Sequence, residues 1–390
     1  MANPRALVDA RFVSAAPTSS HARYLRGLIG AWPSEGSELD VILFAPSPLP
    51  PDVPRGKHIR WVATPNLLSS AGRRAEGGRV WLNTLFSLAA LRFRPRVLFF
   101  PYPFVPRMVT APAVVTMHDA CFSSQMADHF ESRILDARAQ HAARAAHSFI
   151  AVSSATKADV ACVYGIEPQR IEVVHHGIAP IFSARESPAD ASLRKDLGLQ
   201  SSRYFLCVST HEPRKNLETV ASAFVELTRC LDAARPQREL PMLVLVGRRS
   251  ANSSAIDAIL AQCPLAAAHT RMLSSVSDAQ LAALYRGAVS TLAPSTCEGF
   301  GFPLVEALAC GSPVLASDRP VFRELVGDAA IYISARDTSA WTDELHLALT
   351  EPGRSAAARA VAASVASRFN WAAAARATHG VLERAAAART

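Results

Sequence analysis

No stretch of this 390-residue chain is apolar for long enough to cross a bilayer as a helix, which takes about 20 residues. The nearest candidates, Val80–Leu91 and Val97–Val105, are short, and Asn83, Arg92 or prolines interrupt them. The first residues carry Arg5, Asp9 and Arg11 where an export signal would be apolar, so a cytoplasmic location is expected. The seven cysteines form no C-x-x-C pair and no Cys/His cluster at zinc spacing, and reduced, mostly buried thiols are expected. No helix-turn-helix, finger or RNA-binding signature occurs, and nucleic acid is not an expected partner. No internal repeat of fixed period is present.

What remains is a globular composition, 49% hydrophobic and 19% charged, in a chain long enough for two cores. The net charge of +8 is unevenly placed, because residues 51–100 hold nine Lys/Arg against two Asp/Glu, a local +7. Such a face is either merely solvated or attracts an anionic surface or a phosphorylated acceptor.

Short apolar runs alternate with amphipathic stretches throughout, the pattern of β-α units on parallel sheets. In the first half the runs Ala6–Phe12, Asp40–Phe44, Val97–Phe100, Ala113–Met117, Ser148–Val152 and Ile171–Val174 predict strands, with helices at Ser20–Ala31 and Ser132–Ala146. The polar stretch 183–200 reads as a linker. A second series then predicts strands at Tyr204–Val208, Met242–Val246, Val289–Ala293, Pro313–Ala316 and Ala330–Ile333, with helices at Asn216–Cys230 and Asp278–Gly287. Residues 354–388 are Ala-rich and helical, broken near Arg368–Asn370. The expected fold is two doubly wound α/β domains, whose ligands bind beyond the carboxyl ends of the strands.

The stretch richest in chemistry is Ala293-Pro-Ser-Thr-Cys-Glu298-Gly-Phe-Gly-Phe-Pro-Leu-Val-Glu306-Ala-Leu-Ala-Cys-Gly311-Ser-Pro-Val. A strand leads into the flexible loop Glu298-Gly299-Phe300-Gly301. Pro303 suits a first helical position and Gly311 the position just past the end. The helix N-terminus, preceded by glycines, suits a diphosphate. Glu306, placed near the end of the first turn, suits a ribose diol, and Glu298 suits sugar hydroxyls.

Two glutamates eight apart around G-F-G-F-P, followed by A-L-A-C-G-S-P-V, resemble the E-x7-E signature of the retaining glycosyltransferases of family 4 (group 1). Bacterial mannosyltransferases of surface polysaccharide assembly are the members it most resembles. The resemblance implies the GT-B fold, two Rossmann-like domains facing a central cleft. It divides the chain into an acceptor domain, 1–182, the linker 183–200, a nucleotide-sugar domain, 201–353, and helices 354–390 that cross back to the first domain.

The resemblance continues in Val208-Ser209-Thr210-His211-Glu212-Pro213-Arg214-Lys215-Asn216-Leu217, which looks like the family's pyrophosphate loop, with Asn216 expected as a helix N-cap. Lys215 matches the family's lysine. Thr210 stands where an arginine is common, so the clasp is complete only if Arg214 turns inward. Val115-Thr-Met-His118-Asp119 resembles a T-x-H-D loop whose histidine, in relatives, reaches the donor sugar. Ile150–Ser154, Ile171–Ile178 and Phe369-Asn-Trp371 match further landmarks. Arg23-Tyr24 match an R-Y pair, but the glycine-rich turn that normally precedes it is replaced by Thr18-Ser19-Ser20.

The expected catalytic residues are therefore His118, Lys215 and Glu298. Ser209, Thr210, Arg214, Gly299, Phe300, Gly301, Phe302 and Glu306 join Lys215 and Glu298 in the donor site, and Arg23, Tyr24 and Asp119 lie on the acceptor side. No D-x-D triplet occurs in the chain, so transfer without a metal is expected, with no metal site and no cofactor. The E-P-R-K-N form of the loop, common among mannosyltransferases, points to GDP-mannose as donor. The expected partners are that nucleotide-sugar, a glycan or lipid-linked glycan acceptor, and the anionic inner face of the membrane. A glycoside hydrolase, a nucleotide-sugar epimerase and a non-catalytic binding protein are the competing readings. A hydrolase leaves Lys215 and the phosphate-cradling loop without a purpose.

Overall fold

In a computed structural model, the described residues are 3–15, 20–33, 39–48, 50, 53, 58–64, 80–123, 130–199, 203–234, 239–351 and 353–388. They form two compact units, residues 1–177 with 369–390, and residues 178–368.

The first unit is built on a seven-stranded sheet in the order β3-β2-β1-β4-β5-β6-β7. Its strands are β1 (Arg5–Asp9), β2 (Asp40–Ala45), β3 (Ile59–Ala63), β4 (Val97–Phe100), β5 (Ala113–Met117), β6 (Ser148–Ala151) and β7 (Ile171–Val173). All neighbours pair in parallel. Both faces of a parallel sheet are covered, so its central strands are uniformly apolar, as in Val97-Leu-Phe-Phe100, which is buried at every position. One face packs Trp81, Phe86 and Phe149, and the other packs Tyr24, Leu28 and Phe99.

The second unit repeats the plan with six parallel strands in the order β10-β9-β8-β11-β12-β13. These are β8 (Tyr204–Val208), β9 (Met242–Val246), β10 (Thr270–Leu273), β11 (Ser290–Ala293), β12 (Val314–Ser317) and β13 (Ile331–Ile333). In both sheets the strand order reverses beside the first strand of the unit, at β1/β4 and at β8/β11. Loops diverge at that point and open a crevice.

Two boundaries differ from the sequence reading. The stretch 183–200 belongs to the second unit and contains the helix Asp190–Asp196. Its polar residues find partners there, since Asp190 receives two hydrogen bonds from Arg286, at 2.6 and 2.7 Å. The C-terminal segment divides at Phe369: the helix Gly353–Arg368 lies in the second unit and the helix Trp371–Ala387 in the first. Asn370 caps the latter, accepting from the Ala373 amide at 2.8 Å. Trp371 is seated on glycines. A Cβ on Gly27 would lie 2.2 Å from the indole, and one on Gly177 would lie 2.3 Å from the Trp371 nitrogen. That contact explains both the His175-His176-Gly177 landmark and the Phe369-Asn-Trp371 landmark in one stroke.

Candidate active site

The reversal point of the second sheet brings together two loops far apart in sequence. After β8 the chain runs through Ser209 and Thr210 into a tight turn, Pro213–Lys215, and enters the helix Leu217–Ala234. After β11 it runs through Ser295 and Glu298 into the helix Phe302–Ala309. The loops are stitched by the Thr296 amide donating to the Arg214 carbonyl at 2.8 Å, and by Asn216 Nδ2 donating to the Pro294 and Ala335 carbonyls at 3.1 and 2.6 Å. Asn216 adopts a left-handed conformation, φ 54°, rather than the extended backbone of an N-cap. Its side chain works as a tie between loops.

At the centre of these loops is Glu298. Its Oε1 accepts from Lys215 Nζ and, at 3.0 Å, from Ser295 Oγ, while Arg214 Nη1 lies 3.7 Å from Oε2. Arg214 therefore turns inward, beside Lys215. Burial by itself would raise the Glu298 carboxyl, but the charges of Lys215 and Arg214 outweigh it and hold the group below the usual carboxylate range. Two cations thus converge on one largely buried anion.

Glu212, which sequence reasoning passed over, organises the rim. It accepts from Thr210 Oγ1 at 3.0 Å and from Arg214 Nε at 3.0 Å, and the Arg214 charge keeps it ionised against its partial burial. Its only signal in sequence was its position two residues before Arg214. Ser295, also missed, had none beyond its place at a strand end.

Gly301 caps the helix Phe302–Ala309 with φ 90°, and a Cβ there would meet the Phe322 ring at 2.7 Å. The position requires glycine on both counts. Gly299 and Phe300 are buried, and Phe302 packs on Phe300 with ring centroids 5.3 Å apart. Pro303 sits one residue inside the helix start. Glu306 therefore begins the second turn rather than ending the first. It is buried, and Tyr285 Oη donates to its Oε2 at 3.3 Å.

The remaining expected residues lie in the first unit, at the carboxyl ends of its strands. His118 follows β5, and its Nε2 donates to the Pro101 carbonyl at 2.7 Å. A carbonyl only accepts, so Nδ1 is left as an acceptor. Burial pushes the His118 pKa down to about 4, against the opposing pull of the Pro101 carbonyl, so the ring is neutral at pH 7. Around it stand His21 at 4.9 Å, Tyr24 at 5.1 Å and His176 at 5.4 Å between centroids. Tyr24 pairs with Thr116 Oγ1 at 3.0 Å, and burial raises its pKa. Burial also drives the His176 pKa well down, with the neighbouring histidines adding to it. Asp119 accepts from the Cys121 amide at 3.1 Å, a local turn contact. Arg23 is half-buried on the helix Ser20–Gly30, and Thr18-Ser19 lie outside the described residues.

An ion pair not anticipated from sequence stands at the end of β1. Asp9 is fully buried, and Arg11 donates to both its oxygens at 2.7 to 3.0 Å while its guanidinium stacks 5.2 Å from the Trp81 ring.

The family model described as Glycosyltransferase Family 4 matches residues 21–180, and that described as Glycosyl transferases group 1 matches residues 190–364. The D-inositol 3-phosphate glycosyltransferase of Rhodococcus jostii is 31% identical over 214 residues, 53% of this chain and 46% of the relative. The O-antigen chain mannosyltransferase RfbU of Salmonella typhimurium is 27% identical over 192 residues, 49% of this chain and 48% of the relative. In these alignments the chain spans about half the length of the curated relatives it matches. Among solved structures, Alr3699/HepE of Anabaena, in complex with UDP and glucose, superimposes with a TM-score of 0.72 at 17% identity, covering 98% of this chain and 100% of that one. The fold is thus the two-domain, parallel-sheet GT-B form.

Proposed function

We propose, for a chain that belongs to the group 1 glycosyltransferases of family 4, that it transfers a hexose from a nucleotide-sugar to a glycan or lipid-linked acceptor, with retention at the anomeric carbon and without a metal. The observation that carries this reading is the convergence of Lys215 and Arg214 on Glu298 at the reversal point of the second sheet, next to the N-terminus of the helix Phe302–Ala309. The donor's diphosphate enters this cluster. The cations and helix amides then stabilise the charge that develops on the leaving nucleoside diphosphate. Glu298 takes sugar hydroxyls with an oxygen released from the cations, and Glu306, held by Tyr285, takes the ribose hydroxyls. His118, neutral and with Nδ1 as acceptor, receives a hydroxyl hydrogen bond.

GDP-mannose is the proposed donor, supported by the E-P-R-K-N loop and by the likeness to a mannosyltransferase. No helix among the described residues is long and apolar enough to cross a membrane. We place the enzyme peripherally on the inner face of the membrane, supported by the +7 charge of residues 51–100. Of the arginines on that face, Arg92, Arg94 and Arg96 are exposed, while Arg73, Arg74 and Arg79 lie outside the described residues.

A thermal-shift panel of GDP-, UDP- and dTDP-sugars tests the donor. A ligand at 100 times its Kd adds about 2.7 kcal/mol of stability, and GDP-mannose is expected to raise the Tm most. A larger shift with a UDP-sugar replaces the donor, and no shift with any of them overturns the reading.

A further inference from the structure

Four of the seven large hydrophobic side chains exposed among the described residues fall in one stretch of the first unit, residues 80–108: Val80, Leu88, Leu91 and Met108, at 51 to 69% exposure. Leu88 and Leu91 are three apart on the helix Ser87–Phe93, so they share a face. The Arg107 amide donates to Asn83 Oδ1 at 2.7 Å, which ties the loop before Met108 to the turn Leu82–Phe86 that precedes this helix. Single exposed apolar residues need no explanation, but two leucines on one helical face that ends in a basic cavity are a candidate contact surface.

The C-terminal end of that helix opens onto a cavity of about 820 Å³, whose lining includes Arg5, Arg92, Arg94 and Arg96. Among the described residues the one acid on its wall is Glu383, which is already engaged by His379 Nδ1 at 3.3 Å. None of the four arginines makes a salt bridge with any described residue; Arg5 donates to the Phe93 carbonyl at 3.4 Å. Four cations are thus left facing solvent around one hollow.

Arg94 adds a separate signal. It ends the helix in the left-handed conformation, φ 47°, one of two described non-glycine residues with positive φ. Glycine is the ordinary occupant of that position, and a side chain there costs about 1 kcal/mol. The other such residue is Asn216, in the loop that clasps the two halves of the donor site together. Retaining arginine where glycine would be more stable puts a guanidinium on the cavity at the expense of local stability.

We infer that this surface docks on an anionic membrane: Leu88 and Leu91 enter the interfacial region while a lipid phosphate sits in the cavity among Arg5, Arg92, Arg94 and Arg96. Apolar side chains flanked by guanidiniums match an anionic bilayer surface on both counts, whereas a soluble anion has no use for the leucines. The surface lies at the amino ends of β1 and β4, since Arg5 opens β1 and Arg96 directly precedes β4. His118 and Asp9 sit at the opposite, carboxyl ends of this sheet. Docking therefore leaves that end of the unit clear of the bilayer, which favours the extended glycan over a head group held at the membrane surface as the acceptor. The inference rests on the peripheral attachment proposed above and deepens it, from a diffuse basic face to a site with an insertion element and a phosphate pocket.

The test is co-sedimentation of the full chain with phosphatidylcholine vesicles with and without phosphatidylglycerol, at about 0.1 M and about 1 M salt. The parent pellets with the anionic vesicles. Leu88→Ser with Leu91→Ser, which leaves the charge unchanged, reduces partition about tenfold, the scale of losing partial burial of two leucines. Arg94→Gly reduces it about fivefold, the equivalent of about 1 kcal/mol for one basic residue at an anionic surface, and at the same time leaves the Tm unchanged or raises it. A misfolding artefact moves Tm and partition down together, so this variant separates the two. Parent-like partition by both variants overturns the docking site while leaving charge-driven attachment in place. A parent that stays in the supernatant at both salts, or pellets equally with neutral vesicles, overturns both. Neither outcome touches the transferase reading, which the nucleotide panel tests separately.

Discussion

The clusters at the carboxyl ends of the two sheets solve opposite electrostatic problems. Around Glu298 the second unit keeps full charges nearly out of water and lets Lys215, Arg214 and Glu298 satisfy one another. Around His118 the first unit gathers His21, His176 and Tyr24, and burial suppresses ionisation of His118, His176 and Tyr24 instead. A diphosphate needs cations whose present counter-charge it can share or displace. A sugar hydroxyl needs neutral rings that accept and donate hydrogen bonds without attracting phosphate. The division of labour proposed between donor and acceptor domains assigns the charged cluster to the first role and the neutral cluster to the second.

The largest expected effect on this contrast is at Lys215. Lys215→Ala should lower kcat/KM by about 10²- to 10³-fold, the scale of one lost electrostatic donor at about 2.7–4 kcal/mol. Steady-state kinetics with saturating acceptor measure it, and unchanged kinetics would transfer the role to Arg214 and the helix amides.

On the first-unit side, Gly177→Ala should cost about 1–3 kcal/mol of stability, because its Cβ would collide with the backbone of Trp371. Chemical denaturation followed at Trp371 checks this. Parent-like stability would mean that the Trp371–Ala387 helix shifts freely.

Glu306→Gln should raise the donor KM several-fold with a smaller change in kcat, since ribose contacts bind ground and transition states alike. Equal KM in mutant and parent would leave Glu306 as a buried partner of Tyr285 and nothing more.

The smallest effect is in the pH dependence. His118 has its pKa lowered to about 4, so the unfolded chain binds the proton first as pH falls. The stability this group contributes is complete above about pH 6.5 and is lost on acidification between 6.5 and about 4, with His176 acting in the same direction. His118→Asn should flatten the fall in Tm over that window. A fall as steep as the parent's would assign it wholly to other groups. Activity should also survive EDTA, and loss on chelation restored by Mn²⁺ would contradict metal-independent transfer.

The same contrast explains what was readable in advance. Central strands carry their own signal, so β4, β5, β8 and β9 appear in sequence with their observed ends. The edge strands β3 and β10 were missed because Ile-Arg-Trp-Val-Ala and Thr-Arg-Met-Leu are only partly buried and show no apolar run. Glu298 and Lys215 were singled out by the resemblance of their loops to the family's motifs, and the structure brings the two side chains together. The direction of Arg214 was not legible, since it depends on Glu212 and on the Cys297 carbonyl, 83 residues away, to which Arg214 donates at 3.4 Å. Asn216 stands directly before the helix Leu217–Ala234, where a cap was expected, but its carboxamide also ties together three loops that sequence alone does not show to be adjacent. The Asp9–Arg11 pair lay hidden inside a predicted strand, Ala6–Phe12, that in fact ends at Asp9.

The central claim is that the charged cluster around Glu298 is the diphosphate clasp. The direct measurement is calorimetric titration of GDP into the parent and into Glu298→Gln, paired with their transfer rates. Removing the carboxylate frees Lys215 and Arg214 from their counter-charge, so the account predicts tighter GDP binding in the variant together with a collapse of transfer. Weaker or unchanged GDP binding by Glu298→Gln would contradict it and would make the cluster a structural ion pair.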